Sequence, residues 1–141
     1  TLFHETSAKK EYPMRALHDE VYGYIFNAWA NEETVFQNES QNGLTFPAMQ
    51  EAAKSDEEIA ARVKMFQYRT REELYNYEED PYALRNLIDD PDYAADLRLI
   101  RRKMLESLVR NQDPLVDTYS ETIFGKFKFT KRPPSPLLNQ P

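Results

Sequence analysis

The residues best suited to chemistry lie near the start of the chain. His4 and Glu5 are adjacent, and Arg15 follows on the first segment that we predict to be a strand. An imidazole, a carboxylate and a guanidinium could together hold a sulfated or hydroxyl-rich ligand, with the arginine binding through its planar fork. The alternative is an exposed terminus and a strand arginine in a surface ion pair. The residues alone leave both interpretations open.

The sequence shows no nucleophile with a matched base and no metal-ligand spacing. The two histidines are His4 and His18, and the chain has no cysteine, which excludes disulfides and thiolate chemistry. Three glycines are too few for phosphate-cradling loops. Paired carboxylates such as Glu57-Glu58 and Asp89-Asp90 are typical of solvated faces and helix caps.

Two repeated residue types could form binding surfaces, but each has a simpler interpretation. Five tyrosines could stack on sugars, although their spacing favours core positions with hydroxyls at polar edges. Four cations on one predicted helix could bind an anion, although nearby carboxylates at 96 and 106 favour helical ion pairs on a solvated surface. The tyrosines are Tyr68, Tyr75, Tyr77, Tyr82 and Tyr93, and the cations are Arg98, Arg101, Arg102 and Lys103.

Composition narrows the class of protein. The chain has 141 residues and a net charge of -6, which suits one domain and argues against a nucleic-acid partner. No apolar run approaches the roughly 18 residues of a membrane span, so we expect no membrane partner. The chain starts at Thr1 rather than Met, which we attribute to trimming, so preceding residues of the natural protein could be missing.

The first half of the chain predicts a hairpin and two helices. Residues 14–17 and 22–25 are rich in β-formers around a polar turn at 18–20. Residues 30–44 are polar and aperiodic, which predicts a loop. Thr45 ahead of Pro47 predicts a helix start, and Ser55 with Glu58 matches a capping box before a second helix.

The second half predicts a strand and a long amphipathic helix. Residues 73–77 alternate as in a strand, and Asp90-Pro91 is a typical helix start. We expect this helix to run to about Asn111, before Asp113-Pro114. Residues 126–131 alternate and could form a strand, and the tail from Arg132 is proline-rich. The apolar stripe of the helix comprises Tyr93, Leu97, Ile100, Met104 and Leu108.

These elements predict an α+β fold in which a small antiparallel β-sheet packs against a long C-terminal amphipathic helix. A hairpin alone is marginally stable, so the helix must bury the apolar face of the sheet. We expect one domain over 1–116 and a partly extended, proline-rich C-terminal extension over 117–141.

Four short motifs resemble the closing segment of sulfatases. They are Glu73–Asn76 (ELYN), Asp80-Pro81, Asn86-Leu87 and Asp90-Pro91 ahead of the long helix. In that family a Glu-Leu-Tyr strand precedes an Asp-Pro turn, an Asn-Leu pair and a helix. In this chain Asn76 stands where the family has Asp, and Ala83 stands where it has Glu. We expect both changes to affect the stability of the turn rather than the chemistry.

Segments that precede residue 73 indicate which kind of sulfatase the chain resembles. The Pro-x-Arg strand of 13–15, the Tyr-x-Tyr-Ile strand of 22–25 and the His4-Glu5 pair are most similar to heparan N-sulfatases, the sulfamidases. The likeness covers roughly residues 3–116 and implies the C-terminal, non-nucleophile domain of such an enzyme. Further support comes from Thr45-Phe46 and the run 68–75.

The resemblance implies that two domains of one protein would have different roles, one catalytic and one supporting. The formylglycine nucleophile and calcium would belong to a larger N-terminal catalytic domain of the same protein, since this chain carries no formylglycine motif and no cofactor set. The present domain would complete the pocket for a sulfated sugar, with His4, Glu5 and Arg15 as pocket candidates. By resemblance the protein would be periplasmic, secreted or lysosomal and act in glycosaminoglycan degradation.

Two expectations and one alternative follow. The chain alone should be inactive. The surface that meets the catalytic domain should include Tyr12 beside the pocket candidates, with the segment from Phe3 to Arg15 poorly anchored or buried against a second copy. The alternative is a stand-alone, non-catalytic binding module or one subunit of a split enzyme; an upstream reading frame with the formylglycine motif would discriminate between them.

Overall fold

The computed structural model describes residues 11–31 and 33–125. Within these residues, three strands and four α-helices confirm the predicted α+β class with a small antiparallel sheet. Two short 3-10 turns, Glu39–Asn42 and Pro91–Tyr93, complete the elements. In chain order the strands and helices are β1 (Met14–His18), β2 (Tyr22–Asn27), α1 (Thr45–Ala52), α2 (Glu57–Gln67), β3 (Glu72–Asn76), α3 (Ala94–Arg110) and α4 (Val116–Phe124).

The predicted hairpin forms the first two strands of the sheet, whose order is β1-β2-β3. The amide of Ala28 donates to the carbonyl of Pro13 at 3.1 Å, and that of Asp19 to the carbonyl of Tyr22 at 3.0 Å. The Asp19 carboxylate also accepts from the amide of Tyr22 at 2.8 Å, which closes the turn. The polar turn predicted from the sequence is therefore confirmed.

Strand β3 adds to the free edge of β2. The amide of Asn27 donates to the carbonyl of Arg71 at 2.9 Å, and the amide of Tyr77 donates to the carbonyl of Val21 at 2.8 Å. Because the residue numbers rise on one strand as they fall on the other, the pair is antiparallel. The strand lies within one residue of its predicted position.

The chain divides into two compact units. The first combines the described residues up to Ala16 with Ile25–Glu73, and the second combines Leu17–Tyr24 with the described residues from Leu74 onward.

The core of the first unit is aromatic. Tyr12 is only 1% exposed, and the rings of Trp29 and Phe36 lie edge-on to it at 4.7 and 4.8 Å between centroids. Its hydroxyl donates to the carbonyl of Val35 at 3.2 Å and accepts from the amide of Gln37 at 3.1 Å. The expectation that Tyr12 lies on an exposed docking surface is therefore wrong, because its ring and its hydroxyl are both bound inside the unit.

Helices α1 and α2 pack against each other in the first unit. The residue that caps α2 is Asp56, whose carboxylate accepts from the amides of Glu58 and Ile59 at 3.0 and 3.1 Å. The predicted capping box at Ser55 is therefore misplaced by one residue, since the Ser55 hydroxyl donates to Ala52 instead. Helix α1 begins at Thr45 without a side-chain cap, and all of its residues are at least partly exposed.

The second unit is built around α3. The predicted stripe is confirmed for Leu97, Ile100, Met104 and Leu108, which are all buried, whereas its first member, Tyr93, lies in the preceding 3-10 turn and is only partly buried. As expected, Asp90 caps the segment, with its carboxylate accepting from the amide of Asp92 at 3.1 Å. The first turn is a 3-10 turn, and α3 ends at Arg110, one residue before the predicted end.

Helix α4 was not predicted, so α3 is not the last helix of the described chain. Helix α4 packs against α3, and its Tyr119 is fully buried. The Tyr119 hydroxyl donates to the carbonyl of Arg101 at 3.1 Å, and its oxygen lies within hydrogen-bond distance, 3.2 Å, of the Tyr24 hydroxyl. Residues 126–131, predicted as a strand, and the proline-rich tail lie outside the described residues.

The assignment of all five tyrosines to the core is only partly right. Tyr75 is buried, and Tyr77 and Tyr93 are partly buried. Tyr82 is 83% exposed because it lies in the turn after β3, and Tyr68 is 38% exposed at the end of α2. No helix among the described residues has the length and apolar character to cross a membrane.

Candidate functional site

Arg15 is the one predicted pocket residue that the structure describes. It lies in β1, is partly buried, and donates from Nη1 to the carbonyl of Met14 at 2.8 Å. His4 and Glu5 lie outside the described residues. The proposed grouping of the three side chains therefore stays a prediction.

The motif that resembles sulfatases forms a connected hydrogen-bond network. The Oδ1 of Asn86 accepts from the amide of Leu74 at 2.9 Å and from that of Ile88 at 3.2 Å. The amide of Leu87 donates to the carbonyl of Leu74 at 2.8 Å. The Asn-Leu pair thus ties the following segment to β3, and Leu74 and Leu87 are both buried.

The turn after β3 is held by two side-chain acceptors. Asn76, which is buried, accepts from the amide of Glu78 at 3.0 Å. Asp80 accepts from the amides of Leu84 and Arg85 at 2.5 and 2.7 Å. Both side chains therefore satisfy turn backbone, and the Asn found where the family has Asp still serves as a turn acceptor.

The glutamate of the ELYN run belongs to a buried polar cluster in the first unit. Glu73 accepts from Nδ2 of Asn27 at 2.7 Å, and the same nitrogen donates to the carbonyl of Thr70 at 2.8 Å. Arg69 approaches Glu73 at 3.8 Å and lies over the Phe36 ring at 6.0 Å from its centroid. Sequence analysis missed Asn27, whose only sequence signal is a polar residue at the end of a β-rich run.

In the second unit, Tyr77 crosses β2 to reach β1. Its hydroxyl lies 3.0 Å from Nδ1 of His18, and the two rings are parallel within 7° at 5.8 Å. A Cβ at Gly23 would lie 2.1 Å from the Tyr77 hydroxyl oxygen, so the ring needs a glycine beneath it. Burial raises the pKa of Tyr77 above its ordinary value of 10.0.

The second unit also contains an open groove of about 510 Å³ between the β1–β2 turn and α3. Three carboxylates line it, from Asp19, Glu20 and Asp96, together with one ammonium group, that of Lys103. Lys103 pairs with Asp19 at 3.0 Å rather than with the helical carboxylates expected from the sequence. The groove has apolar walls that include Leu99, which is 55% exposed.

Two groups that line the groove have shifted pKa values. The backbone amide of Tyr22, followed by the ammonium of Lys103, holds the pKa of Asp19 below its usual 3.8. Burial, followed by the charge of Asp96, which also accepts a hydrogen bond from the hydroxyl, raises the pKa of Tyr22 above 10.0. At neutral pH the Asp19 carboxylate is therefore charged and the Tyr22 phenol is neutral.

The groove of the second unit presents charged and apolar groups that can bind a ligand. The described residues contain no group of three or more histidine, cysteine or acidic side chains placed to hold a metal ion. Their buried polar side chains mainly hold backbone and one another.

The chain matches no protein-family model, and no curated protein matches it either.

Proposed function

We propose that this chain is the C-terminal portion of a sulfatase-type hydrolase, most similar to heparan N-sulfatases. It would support a separate catalytic domain of the same protein and complete the pocket for a sulfated sugar. The formylglycine nucleophile and calcium would belong to the catalytic domain. This chain would contribute binding and positioning, and no group that forms or breaks a bond.

The proposal depends on one observation: the residues that carry the resemblance act on backbone. Asn86 and Asp80 each accept from two backbone amides, and Asp90 accepts from one. Such residues fix the path from β3 through the turn to α3. A segment whose shared residues specify its shape, rather than a reaction, fits a supporting domain.

Arg15 is the pocket residue that the proposal assigns to the described chain, beside His4 and Glu5. A guanidinium binds sulfate and hydroxyl oxygens through paired N–H donors. Its place on a strand rather than a loop would hold that fork at a fixed position, as a substrate-positioning group requires.

The first experiment measures activity of the chain alone. We expect no turnover of an aryl sulfate or of glucosamine N-sulfate, with or without added calcium, because the reacting groups would belong to the other domain. Hydrolysis above a buffer blank that follows the protein through purification would contradict a supporting role.

The second experiment uses the full-length protein encoded by the uninterrupted reading frame. If the frame contains a formylglycine motif upstream, Arg15→Ala should lower kcat/KM for the sulfated substrate about 10-fold or more, the scale of one lost charge-assisted contact of about 1.5–3 kcal/mol. The matched control is Arg98→Ala, an exposed arginine on α3. Equal kcat/KM in the two variants, with equal thermal midpoints, would remove Arg15 from the pocket.

A reading frame without that motif would contradict the proposal as a whole. The chain would then be a stand-alone binding module or one subunit of a split enzyme. Pull-down of a separate formylglycine-containing chain would distinguish the split enzyme from the module.

A further inference from the structure

One asparagine of the chain is followed directly by glycine, at Asn42-Gly43. A main-chain nitrogen can attack the side-chain carbonyl carbon of the asparagine that precedes it. Glycine favours this reaction because it has no Cβ to obstruct the approach or to restrict the backbone. Both residues are exposed, so water reaches the reacting atoms. The pair therefore combines the dipeptide and the exposure that the reaction requires.

Most of the other described asparagines use their side chains to hold the structure. Asn31, Asn76 and Asn86 each accept from two backbone amides. Asn27 is buried and donates to a backbone carbonyl and to a carboxylate. Within the described part of the chain, no side-chain hydrogen bond holds Asn42 in this way. Its side-chain amide can therefore turn toward the following nitrogen without breaking a contact of the fold.

The local structure around the pair is weakly held. Asn42 is the last residue of the 3-10 turn Glu39–Asn42, and short 3-10 turns have poor hydrogen-bond geometry and open at low cost. The preceding Gln41 is anchored, because its Nε2 donates to the carbonyl of Phe36 at 2.9 Å. On the other side, Leu44 is 93% exposed, and α1 begins one residue later without a side-chain cap. Local opening at this joint gives the backbone the freedom that ring closure needs.

We propose that Asn42 is a site of spontaneous deamidation, with water as the co-reactant. The Gly43 nitrogen attacks Cγ of Asn42 and loses its proton, the C–N bond of the side-chain amide breaks, and ammonia leaves. Water then opens the cyclic imide at one of its two carbonyl carbons, which gives aspartate or isoaspartate. Each product adds one negative charge to a chain whose net charge is -6, and isoaspartate also lengthens the main chain by one methylene group ahead of α1. The inference depends only on groups of this chain and stands apart from the proposed function.

Mass spectrometry tests the proposal on the full chain, which is incubated at mildly alkaline pH in water enriched in a heavy oxygen isotope. Cleavage after glutamate, in ordinary water, releases residues 40–51, in which Asn42 is the only asparagine. We expect this peptide to exchange its amide group for a carboxyl group that carries one heavy oxygen, which fragmentation locates at Asn42. Aspartyl and isoaspartyl forms should both appear, because the cyclic imide opens at two carbonyl carbons. Asn31 and Asn86 should keep their amides over the same period.

Two neighbouring substitutions form the matched control. Gly43→Ala should slow the conversion many-fold, because a Cβ obstructs the attack and restricts the backbone. Leu44→Ala changes the next residue, which is also exposed, and should leave the rate unchanged. Thermal midpoints equal to that of the parent chain verify that both variants keep the fold.

Three results would overturn the proposal. They are an unchanged peptide 40–51 from the folded chain, equal rates in Gly43→Ala and the parent chain, and an aspartyl product without any isoaspartyl form. The first would show that the fold protects the pair, and the other two would exclude attack by the Gly43 nitrogen. None of these results depends on whether the full-length protein hydrolyses sulfates.

Discussion

Asn86 satisfies two backbone amides with one side-chain oxygen, and this makes it the most informative single residue of the motif. It accepts from Leu74 at 2.9 Å and from Ile88 at 3.2 Å. Leu74 is fully buried, so its amide has no access to water as a substitute. The side chain therefore joins β3 to the segment that leads into α3.

Asn86→Ala should lower the free energy of unfolding by about 1–3 kcal/mol, the cost of a buried donor without an acceptor. Asn86→Asp is the matched control, because its carboxylate keeps an oxygen at the same position and should retain most of the stability. Urea unfolding at neutral pH measures both. An alanine variant as stable as the parent chain would show that the motif does not fix this turn.

Side-chain partners that lie close in the sequence are predictable from it, whereas partners that lie far apart are not. Asp90 caps a turn two residues away, and the Asp-Pro pattern predicts it. Asn27 and Glu73 meet 46 positions apart in the chain, and Lys103 meets Asp19 84 positions apart. No local spacing encodes these pairs, because the fold of the sheet and the placement of α3 create them.

At the scale of elements, α3 shows that the spacing of apolar residues predicts which face of a helix is buried. Four apolar residues at spacings of three and four predict one buried face, and all four are buried. Leu99 lies on the same helix but outside the stripe, and it is 55% exposed. Helix α3 therefore offers one buried leucine, Leu108, and one exposed leucine, Leu99, at which the same substitution can be compared.

Leu108→Ala should cost about 2–5 kcal/mol, because Leu108 is 4% exposed and its removal leaves a cavity. Leu99→Ala, the same change on the exposed face, should cost less than about 0.5 kcal/mol. Thermal or urea unfolding of the two variants measures the difference. Equal losses of stability would contradict the assignment of the buried face.

The missed helix, α4, follows from an ambiguous signal. An Asp-Pro pair can end one helix and begin the next, and the sequence analysis predicts only a helix end at Asp113-Pro114. In the structure Asp113 accepts from the amide of Leu115 at 2.8 Å, just as Asp90 does at the start of α3. The spacing of the buried residues Val116, Tyr119 and Ser120 was helical, but one of the three is polar and the run is short.

The groove could not be predicted from the sequence, although the elements on both of its sides were. Its two sides come from residues 19–22 and 96–103, and neither run shows a motif in the sequence. The turn was predicted as polar and the helix as amphipathic, so each side was expected as an element. Their proximity depends on the packing of α3, which periodicity does not specify. Residue types, and then the resemblance, selected Arg15 as a pocket candidate, but neither gave its structural neighbours, and its pocket role stays a prediction.

At the scale of the whole molecule, four of the described groups have shifted pKa values that make stability depend on pH. Asp19 has a lowered pKa because it accepts from the Tyr22 amide and from Lys103. Tyr22 and Tyr77 have raised values, chiefly through burial, and the hydrogen bond that Tyr93 donates to Glu79 at 2.6 Å raises the pKa of Tyr93. All four lie in the second unit.

These pKa shifts predict that the folded state loses stability at both acidic and alkaline pH. Well below pH 10 the three tyrosines are neutral in both states, and their contribution to stability is complete. As the pH rises above 10, the unfolded chain ionises first, so stability falls until the folded tyrosines ionise as well. Asp19 contributes above pH 3.8, and its contribution is lost as the pH falls from there through its folded value.

Urea midpoints between pH 9 and pH 11.5 test the alkaline part, since these four groups add no pH dependence at the lower end of that range. We expect the midpoint to fall above about pH 10 and the fall to be shallower in Tyr22→Phe, which removes one ionising hydroxyl. Tyr82→Phe is the matched control, because that ring is 83% exposed and no tertiary hydrogen bond should change. If Tyr22→Phe and Tyr82→Phe retain the same alkaline slope as the parent chain, Tyr22 is not held neutral beside Asp96 and the charge described for the groove is wrong.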